Sequence, residues 1–583
     1  MQEKKRIGIE CKNVIYCPKP ENLDFDLHLV KVNVHYDDGT YEPKLIKKTN
    51  HQRNFWIAKR REQNYQEKKE RFPIDGLDEY KTTEHELQES IKRALDMGWY
   101  NGNPNKFMNS PYLFGTDISS SAVLKEEIRR ANRHIKETYN SVAVYDIETN
   151  VLTGPDGKTD QRVICSSLTF KDKICTTVLK SFVGDIRDPL QKLHAALERY
   201  LGRFVKARKI KEWDLHIFDD ERDVIAFPFQ RAHEWRPDFV TIWNINYDIP
   251  HILKRMELLG MNPEDVFCDP AIDKEFRYFR YTEGPARKTS NAGVTINFIP
   301  AERWHTAEFP ASFYLIDSMC VYQKLRVHKG KLASYGLDFI LGVEFKKEKN
   351  AEQLRIEQPD KILAEEIRKL KFPEADHIPG GTIEWHKFMQ ERYPVEYCVY
   401  NVFDCITVEL LDEKILDLAV AFTKNVEFSD FKSFPSQPKK LADEMHWFSL
   451  DTGYVYGTGG GLETDMDKYL IGLNDWICTL PAHLVKDNGL KVIKGSPNLR
   501  TNIRGGVADA DVTASYPNSN AVFNTSRETT EKELIDIEGV SEKDRRMQGI
   551  NLCGGWTNSV EITTELFGLP NLFSLDKMFK ENR

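Results

Sequence analysis

The chain has 583 residues, 40% hydrophobic and 30% charged, an ordinary globular balance with room for about three to five domains. No apolar run is long enough for a bilayer, and Met1–Arg6 has no apolar core behind it, so neither a membrane span nor a signal peptide is expected. Ten scattered cysteines without a Cys-x-x-Cys pair point to reduced thiols in a cytoplasmic compartment and away from zinc, and a net charge of −8 leaves room only for a local basic groove.

Residues 1–140 open with strand-like segments at Val14–Tyr16 and Leu27–Val34. A basic stretch laced with aromatics follows: Lys44, Lys47, Lys48, Arg53, Phe55, Trp56, Lys59, Arg60, Arg61, Lys68, Lys69 and Arg71. It reads equally as a track for a phosphate backbone with rings stacking on bases, or as a solvated helical face. Residues 120–139 read as a charged helix.

The run Ser141-Val142-Ala143-Val144-Tyr145-Asp146-Ile147-Glu148-Thr149 then reads as a buried strand. Residues i and i+2 of a strand share a face, so Asp146 and Glu148 project side by side. Two close carboxylates repel unless a proton or cation lies between them, and a hard cation with oxygen ligands, Mg²⁺ or Mn²⁺, suits the pair. Taken alone, the motif equally fits a strand that merely ends in acids.

Two more strands, Val163–Phe170 and Ile174–Leu179, complete a meander. Asp188-Pro189 predicts a helix start, with Leu190, Leu193, Leu197 and Leu201 on one face. A strand at 215–218, a helix near 219–235 and a strand at 239–243 follow, giving a mixed α/β layer. Asp248 comes just after, with Pro250 expected to open the next helix. Residues 281–311 read as a loop or hairpin insertion. Asp317, on an expected strand at 313–319, is read as structural. Lys324, Arg326, Lys329 and Lys331 make a second basic patch, and 341–392 read as charged and connective. Pro394 starts a helix reaching about residue 422, in which Tyr400 and Asp404 are i and i+4 and share a face. A Pro-punctuated linker at 434–438 follows. Gly457–Gly461 lacks a following Gly-Lys-Ser/Thr, which rejects a P-loop.

Asp146, Glu148, Asp248 and Asp404 would converge at one edge of the sheet, with Tyr400 beside Asp404. Four carboxylates that hold two metals about 3.5–4 Å apart are the layout for in-line attack on a phosphodiester. Neither His nor Cys is needed.

The segments Tyr145–Thr149, Asn246-Tyr247-Asp248 and Tyr400–Asp404 resemble, in order and rough spacing, the three exonuclease motifs of proofreading family B DNA polymerases. The second motif is one residue shorter here than the family pattern. Asp511-Val512-Thr513-Ala514-Ser515-Tyr516-Pro517-Asn518-Ser519 resembles the first palm motif, Asp-x-x-Ser-Leu-Tyr-Pro-Ser, with Ser515 in place of Leu and Asn518 in place of Ser. Asn524–Thr529 resembles the Asn-x-Ser-Pro-Glu-Thr sequel of T-even-type bacteriophage polymerases. Ile503 stands where the Tyr-x-Gly-Gly linker motif has its Tyr.

The resemblance implies an α/β multidomain chain. Its parts would be a β-rich N-terminal domain (1–140), a ribonuclease H-like 3′–5′ exonuclease domain (141–420), a connecting segment returning to the N-terminal domain (421–500) and the start of an α+β palm (501–583). By the resemblance, Asp511 binds the polymerase metals, and Tyr516, with Ser515, belongs to the nucleotide site, Tyr516 under the sugar. Two Mg²⁺ or Mn²⁺ ions per site, primer-template and single-stranded DNA, and deoxynucleoside triphosphates are implied. A sliding clamp and a single-strand binding protein are further candidate partners, and the place of action would be the host cytoplasm if the chain is phage-encoded. After Tyr516 the aspartates are Asp536, Asp544 and Asp576, none in a Tyr-x-Asp-Thr-Asp-Ser context. The expectation is therefore a split polymerase: a second polypeptide supplies fingers, remaining palm and thumb, docking on 500–583, where Val560, Phe567, Leu572, Leu575 and Phe579 have amphipathic spacing. The competing readings are a free-standing 3′–5′ exonuclease with a vestigial palm and a non-catalytic DNA-binding replisome scaffold.

Overall fold

The computed structural model describes residues 4–458, apart from 64–70, 109, 155–156, 290–294, 360 and 369, and beyond them the strand segments 532–534, 548–552 and 555–557. The chain divides into two units, Met1–Gly460 and Gly461–Arg583.

The first unit begins with β1 (Arg6–Cys17), β2 (Leu27–Tyr36) and β3 (Tyr41–Thr49), an antiparallel sheet. Val14, Val30, Val32 and Val34 bury one face of it against Leu124 of the Ser120–Ala131 helix. That helix is capped by Ser119, whose side chain accepts from the Ala122 amide, and it ends at Ala131, eight residues short of the expected span. A second small sheet holds β4 (Gln52–Ala58), then, past β5 (Arg71–Pro73), β6 (Leu77–Thr83) and β7 (Leu113–Phe114), in the order β6-β4-β7.

The basic stretch beginning at Lys44 is thus two strands and not a helical face. Its rings are also not available to bases, because Phe55 and Trp56 are buried in the cores of this sheet. Arg53 is buried too, donating to Glu84 and to the carbonyls of Gly115 and Thr116. Lys44, Lys47, Lys48, Arg60 and Arg61 remain exposed, and Lys68 and Lys69 lie outside the described residues.

The large sheet starts with β8 (Val142–Thr149), β9 (Val163–Phe170), β10 (Lys173–Leu179), β11 (Glu212–Phe218) and β12 (Phe239–Ile242). After β13 (Arg280–Thr282) and the small hairpin β14 (Arg287–Thr289) and β15 (Thr295–Asn297), it is completed by β16 (Thr306–Glu308) and β17 (Tyr314–Asp317). The order is β11-β10-β9-β8-β12-β17-β16-β13. β8, β9 and β10 form the expected antiparallel meander, while β12 runs parallel to β8 and β17 parallel to β12. A mixed sheet of this kind must be covered on both faces. The Glu221–Trp235 and Ile245–Leu259 helices cover one face through Ile225, Phe229, Ile249 and Ile252. The Pro189–Arg208 and Pro394–Ile415 helices cover the other through Leu193, Leu197, Val399 and Ile406. This architecture is consistent with a ribonuclease H-like exonuclease domain.

Several local expectations shift. Asp188 precedes Pro189 as expected, but it is left-handed (φ 51°) and makes no side-chain cap, and Leu190 is 44% exposed. Pro250 does not open its helix. The helix begins at Ile245, and Pro250 lies inside its second turn, where it removes one amide hydrogen bond. The Pro394 helix ends at Ile415, because Leu416 turns left-handed (φ 56°), and the Pro-punctuated linker is partly the helix Gln437–Asp451. β18 (Tyr454–Tyr456) then pairs with β5, and Thr458 hydrogen-bonds Thr116 at 2.7 Å. No helix among the described residues is long and apolar enough to cross a membrane.

In the second unit, β19 (Lys532–Leu534), β20 (Gln548–Leu552) and β21 (Gly555–Thr557) pair antiparallel in chain order. Asp511, Ser515, Tyr516 and the 560–579 pattern lie outside the described residues.

Candidate metal centre

β8 lies in the middle of the large sheet, paired to β9 on one side and β12 on the other. Its side chains alternate. Ala143, Tyr145 and Ile147 enter the core that holds Phe229 and Ile249, whereas Val144 packs on Cys405 and Val408 of the Pro394–Ile415 helix. Asp146 and Glu148 keep step with Val144 and therefore face that helix. Asp404, on the helix, meets them: one carboxylate oxygen of each of Asp146, Glu148 and Asp404 lies within 4.8 Å of the other two. Among the described residues no other group of three His, Cys, Asp or Glu comes so close.

Asp248 arrives from the end of the neighbouring strand. It sits in the first turn of the Ile245–Leu259 helix, where the helix dipole favours an acid. It is outside the close trio, but it lines the same cavity of about 310 Å³, together with Asp146, Glu148, Asp404, Thr149, Trp243, Asn244, Tyr247 and His386.

Burial is the first cause that pushes all four carboxyls upward. Asp146 is raised well above the usual carboxylate range, with Asp248, Glu148 and Asp404 adding to burial and Asn401 opposing it. Asp248 is raised likewise, by burial and then by Glu148 and Asp317. Glu148 is pushed up to about 8, and Asp404 to about 8 with Asp338 as its second cause. Buried like charges of this kind call for a compensating cation. The donors are all oxygens, which fits Mg²⁺ or Mn²⁺ and not zinc.

Tyr400 shares a hydrogen bond with Asp404, and its ring meets Trp385 edge-on at 5.0 Å. Asp317 stays out of the trio. Fully buried, it accepts the amides of Cys320 (2.7 Å) and Ile245 (3.0 Å), so it ties the starts of two helices together, and burial raises it to about 7.

Four residues beside the carboxylates escaped the sequence reading. Tyr397 donates to Glu148 Oε2, and Asn401 Nδ2 donates to Asp146 Oδ2 at 2.7 Å. His386 Nδ1 lies 2.7 Å from the Tyr397 hydroxyl, and Gln390 Nε2 donates to the Thr149 carbonyl at 2.8 Å. The signal for the first two was present, since 397, 401 and 404 fall on one helical face. His386 and Gln390 sit on the helix Ile383–Arg392, in a stretch whose charge concealed it.

No curated protein matches the chain. Residues 96–291, which carry Asp146, Glu148 and Asp248 and stop short of Tyr400 and Asp404, match the family model for DNA polymerase family B, exonuclease domain.

Proposed function

We infer that the first unit removes nucleotides from the 3′ end of DNA, as the proofreading exonuclease of a family B polymerase. The observation that carries this reading is the trio Asp146, Glu148 and Asp404 within 4.8 Å of one another, in a chain whose residues 96–291 match that exonuclease domain. Asp248, on the same cavity wall, would complete a four-carboxylate cage for two divalent ions. Such ions, when bound, activate a water and stabilise the leaving oxygen. Tyr400 holds the Asp404 carboxylate by its hydroxyl. Tyr247, 56% exposed at the cavity mouth, stacks on His251 at 6.3 Å and offers its ring to a terminal base. The cavity favours a frayed single strand, because unpairing a duplex end costs a few kcal/mol.

The test is Mg²⁺- or Mn²⁺-dependent degradation of a 3′-ended single strand. The double variant Asp146→Ala/Glu148→Ala should lose it, and Tyr400→Phe should be slowed less. Wild-type rates in the double variant would show that the site is assigned wrongly.

The polymerase part of the reading rests on the motif at 511–519. In it Asp511 binds metal, and Ser515 and Tyr516 receive the deoxynucleotide, in a T-even-type polymerase completed by a second polypeptide. Synthesis on a primed template only after that polypeptide is added, and its loss with Asp511→Ala, would support this arrangement. A free-standing exonuclease would pass the first test and never the second.

A further inference from the structure

Two adjacent helices each send a pair of side chains, one turn apart, toward the end of β8. From the Pro394–Ile415 helix, Tyr397 reaches Glu148 and Asn401 reaches Asp146. From the Ile383–Arg392 helix, His386 reaches the Tyr397 hydroxyl, and Gln390 grips the backbone on both sides of Asn150. Its Nε2 donates to Thr149 O at 2.8 Å and its Oε1 accepts from Val151 N at 3.0 Å. All four contacts are made by side chains at i and i+4 spacing, the only spacing that puts successive residues on one stripe of a helix at this reach.

We propose that Tyr397 and Asn401 are positioning residues that fix the separation and orientation of the Glu148 and Asp146 carboxylates for divalent cations, with His386 and Gln390 holding Tyr397 and the end of β8 behind them. This inference rests on the proposed exonuclease function.

The argument is one of geometry and donor count. An ionised carboxylate has no proton to give, so toward Glu148 the Tyr397 hydroxyl must be the donor. The phenol oxygen is then an acceptor for His386, which fixes the imidazole with its proton on Nδ1. Asn401 is similarly committed. Its Nδ2 donates to Asp146, while its Oδ1 faces the Cys165 thiol at 3.6 Å, so the amide cannot flip without losing both contacts. Each β8 carboxylate thus has one oxygen held by a buried neutral donor. Two like charges on one strand would otherwise rotate apart, and Mg²⁺ tolerates little departure from octahedral geometry. Tyr397 and Asn401 carry no charge, so they orient the carboxylates without competing for the cation.

The test uses the full chain and two nearly isosteric variants, Tyr397→Phe and Asn401→Leu, each addressing a different carboxylate. Mn²⁺ affinity, read from the free-ion electron paramagnetic resonance signal, is measured without DNA. The Mg²⁺ half-saturation of single-strand hydrolysis is measured separately. Each variant should weaken Mn²⁺ binding and raise the Mg²⁺ requirement by about 10-fold or more, with KM for the strand little changed. His386→Asn, which keeps a donor near the Nδ1 position, should retain more affinity than His386→Leu. Folded variants whose Mn²⁺ affinity stays within about two-fold of wild type would overturn the proposal, since such losses are expected to be larger. A wild-type chain that binds Mn²⁺ yet leaves DNA intact would instead overturn the exonuclease reading, and the Mn²⁺ comparison would still decide this one.

Discussion

The ammonium of Lys31, on β2, lies 3.5 Å from the carboxylate of Asp238, at the foot of β12, and both side chains are almost fully buried. Lys31 also donates to the carbonyls of Arg236 (2.6 Å) and Pro237 (3.2 Å), while Asp238 accepts the amide and hydroxyl of Ser141 at 2.8 Å each. One ion pair therefore joins the N-terminal sheet to the strand that carries Asp146 and Glu148. Removing one partner leaves the other charge buried, so Lys31→Met should destabilise the protein by about 3–5 kcal/mol. Lys31→Met combined with Asp238→Asn should cost less than the sum of the single changes. Urea denaturation of the four proteins checks this, and strict additivity would contradict it.

The carboxylate cluster should make divalent-cation binding depend on pH. Glu148 and Asp404 are raised to about 8 in the folded, cation-free protein, from ordinary values near 4. Their stabilising contribution is thus complete below pH 4 and is lost as pH rises toward 8, because the folded state holds protons that the unfolded chain releases. A cation replaces those protons. Mg²⁺ should accordingly raise Tm more at pH 8 than at pH 6, and Asp146→Ala/Glu148→Ala should remove most of the difference. An equal Mg²⁺ shift at both pH values would contradict the cluster as the binding site.

Acid should act on a different pair. His28 and His51 lie with ring centroids 5.4 Å apart, and burial lowers His28 to about 4 and His51 to about 3. A depressed folded value gives stability that is present above the ordinary value of 6.5 and lost as pH falls through 4. The double variant His28→Asn/His51→Gln should flatten the stability profile between pH 6.5 and 4, measured by denaturant titration at each pH.

The second basic patch should separate into two behaviours. Arg326 grips Asp417 with two nitrogens, at 2.6 and 3.1 Å, and Lys331 pairs with Glu302 at 2.7 Å. Lys324 and Lys329 are exposed. Arg326→Ala should lower stability by about 1.5–3 kcal/mol, the range for hydrogen bonds to charged groups. Lys324→Ala and Lys329→Ala should leave stability unchanged, and each should reduce the log–log salt slope of single-strand binding by about 0.7 where it meets a phosphate. A salt slope that responds to Arg326 and not to the lysines would reverse the assignment.

The strands and the facing of Asp146 and Glu148 were legible because a period-two pattern on a buried strand leaves little freedom. Asp404 was legible because the helix period places it one turn beyond Tyr400. What escaped the sequence were partners set by tertiary approach. Phe55 and Trp56 alternate with basic residues in a way that reads as a nucleic-acid track, yet β6 and β7 flank them and bury both rings. Asn401 was in view within the third motif, but its contact with Asp146 spans 255 residues of sequence, and no local pattern encodes such a distance. Asp188 failed as a cap for a backbone reason, its left-handed φ, that composition does not reveal.

The junction of β5 with β18, and of Thr116 with Thr458, also sets an order of events during synthesis. The two threonines are separated by 342 residues. At about 5–20 residues per second, the later one leaves the ribosome roughly 17–70 s after the earlier. For that interval β5 has no β18 to pair with, and the large sheet is made and folded while the N-terminal sheets still lack their last strand. A nascent chain stalled before residue 454 should therefore be cut by protease near β5, and one released after residue 458 should be protected there.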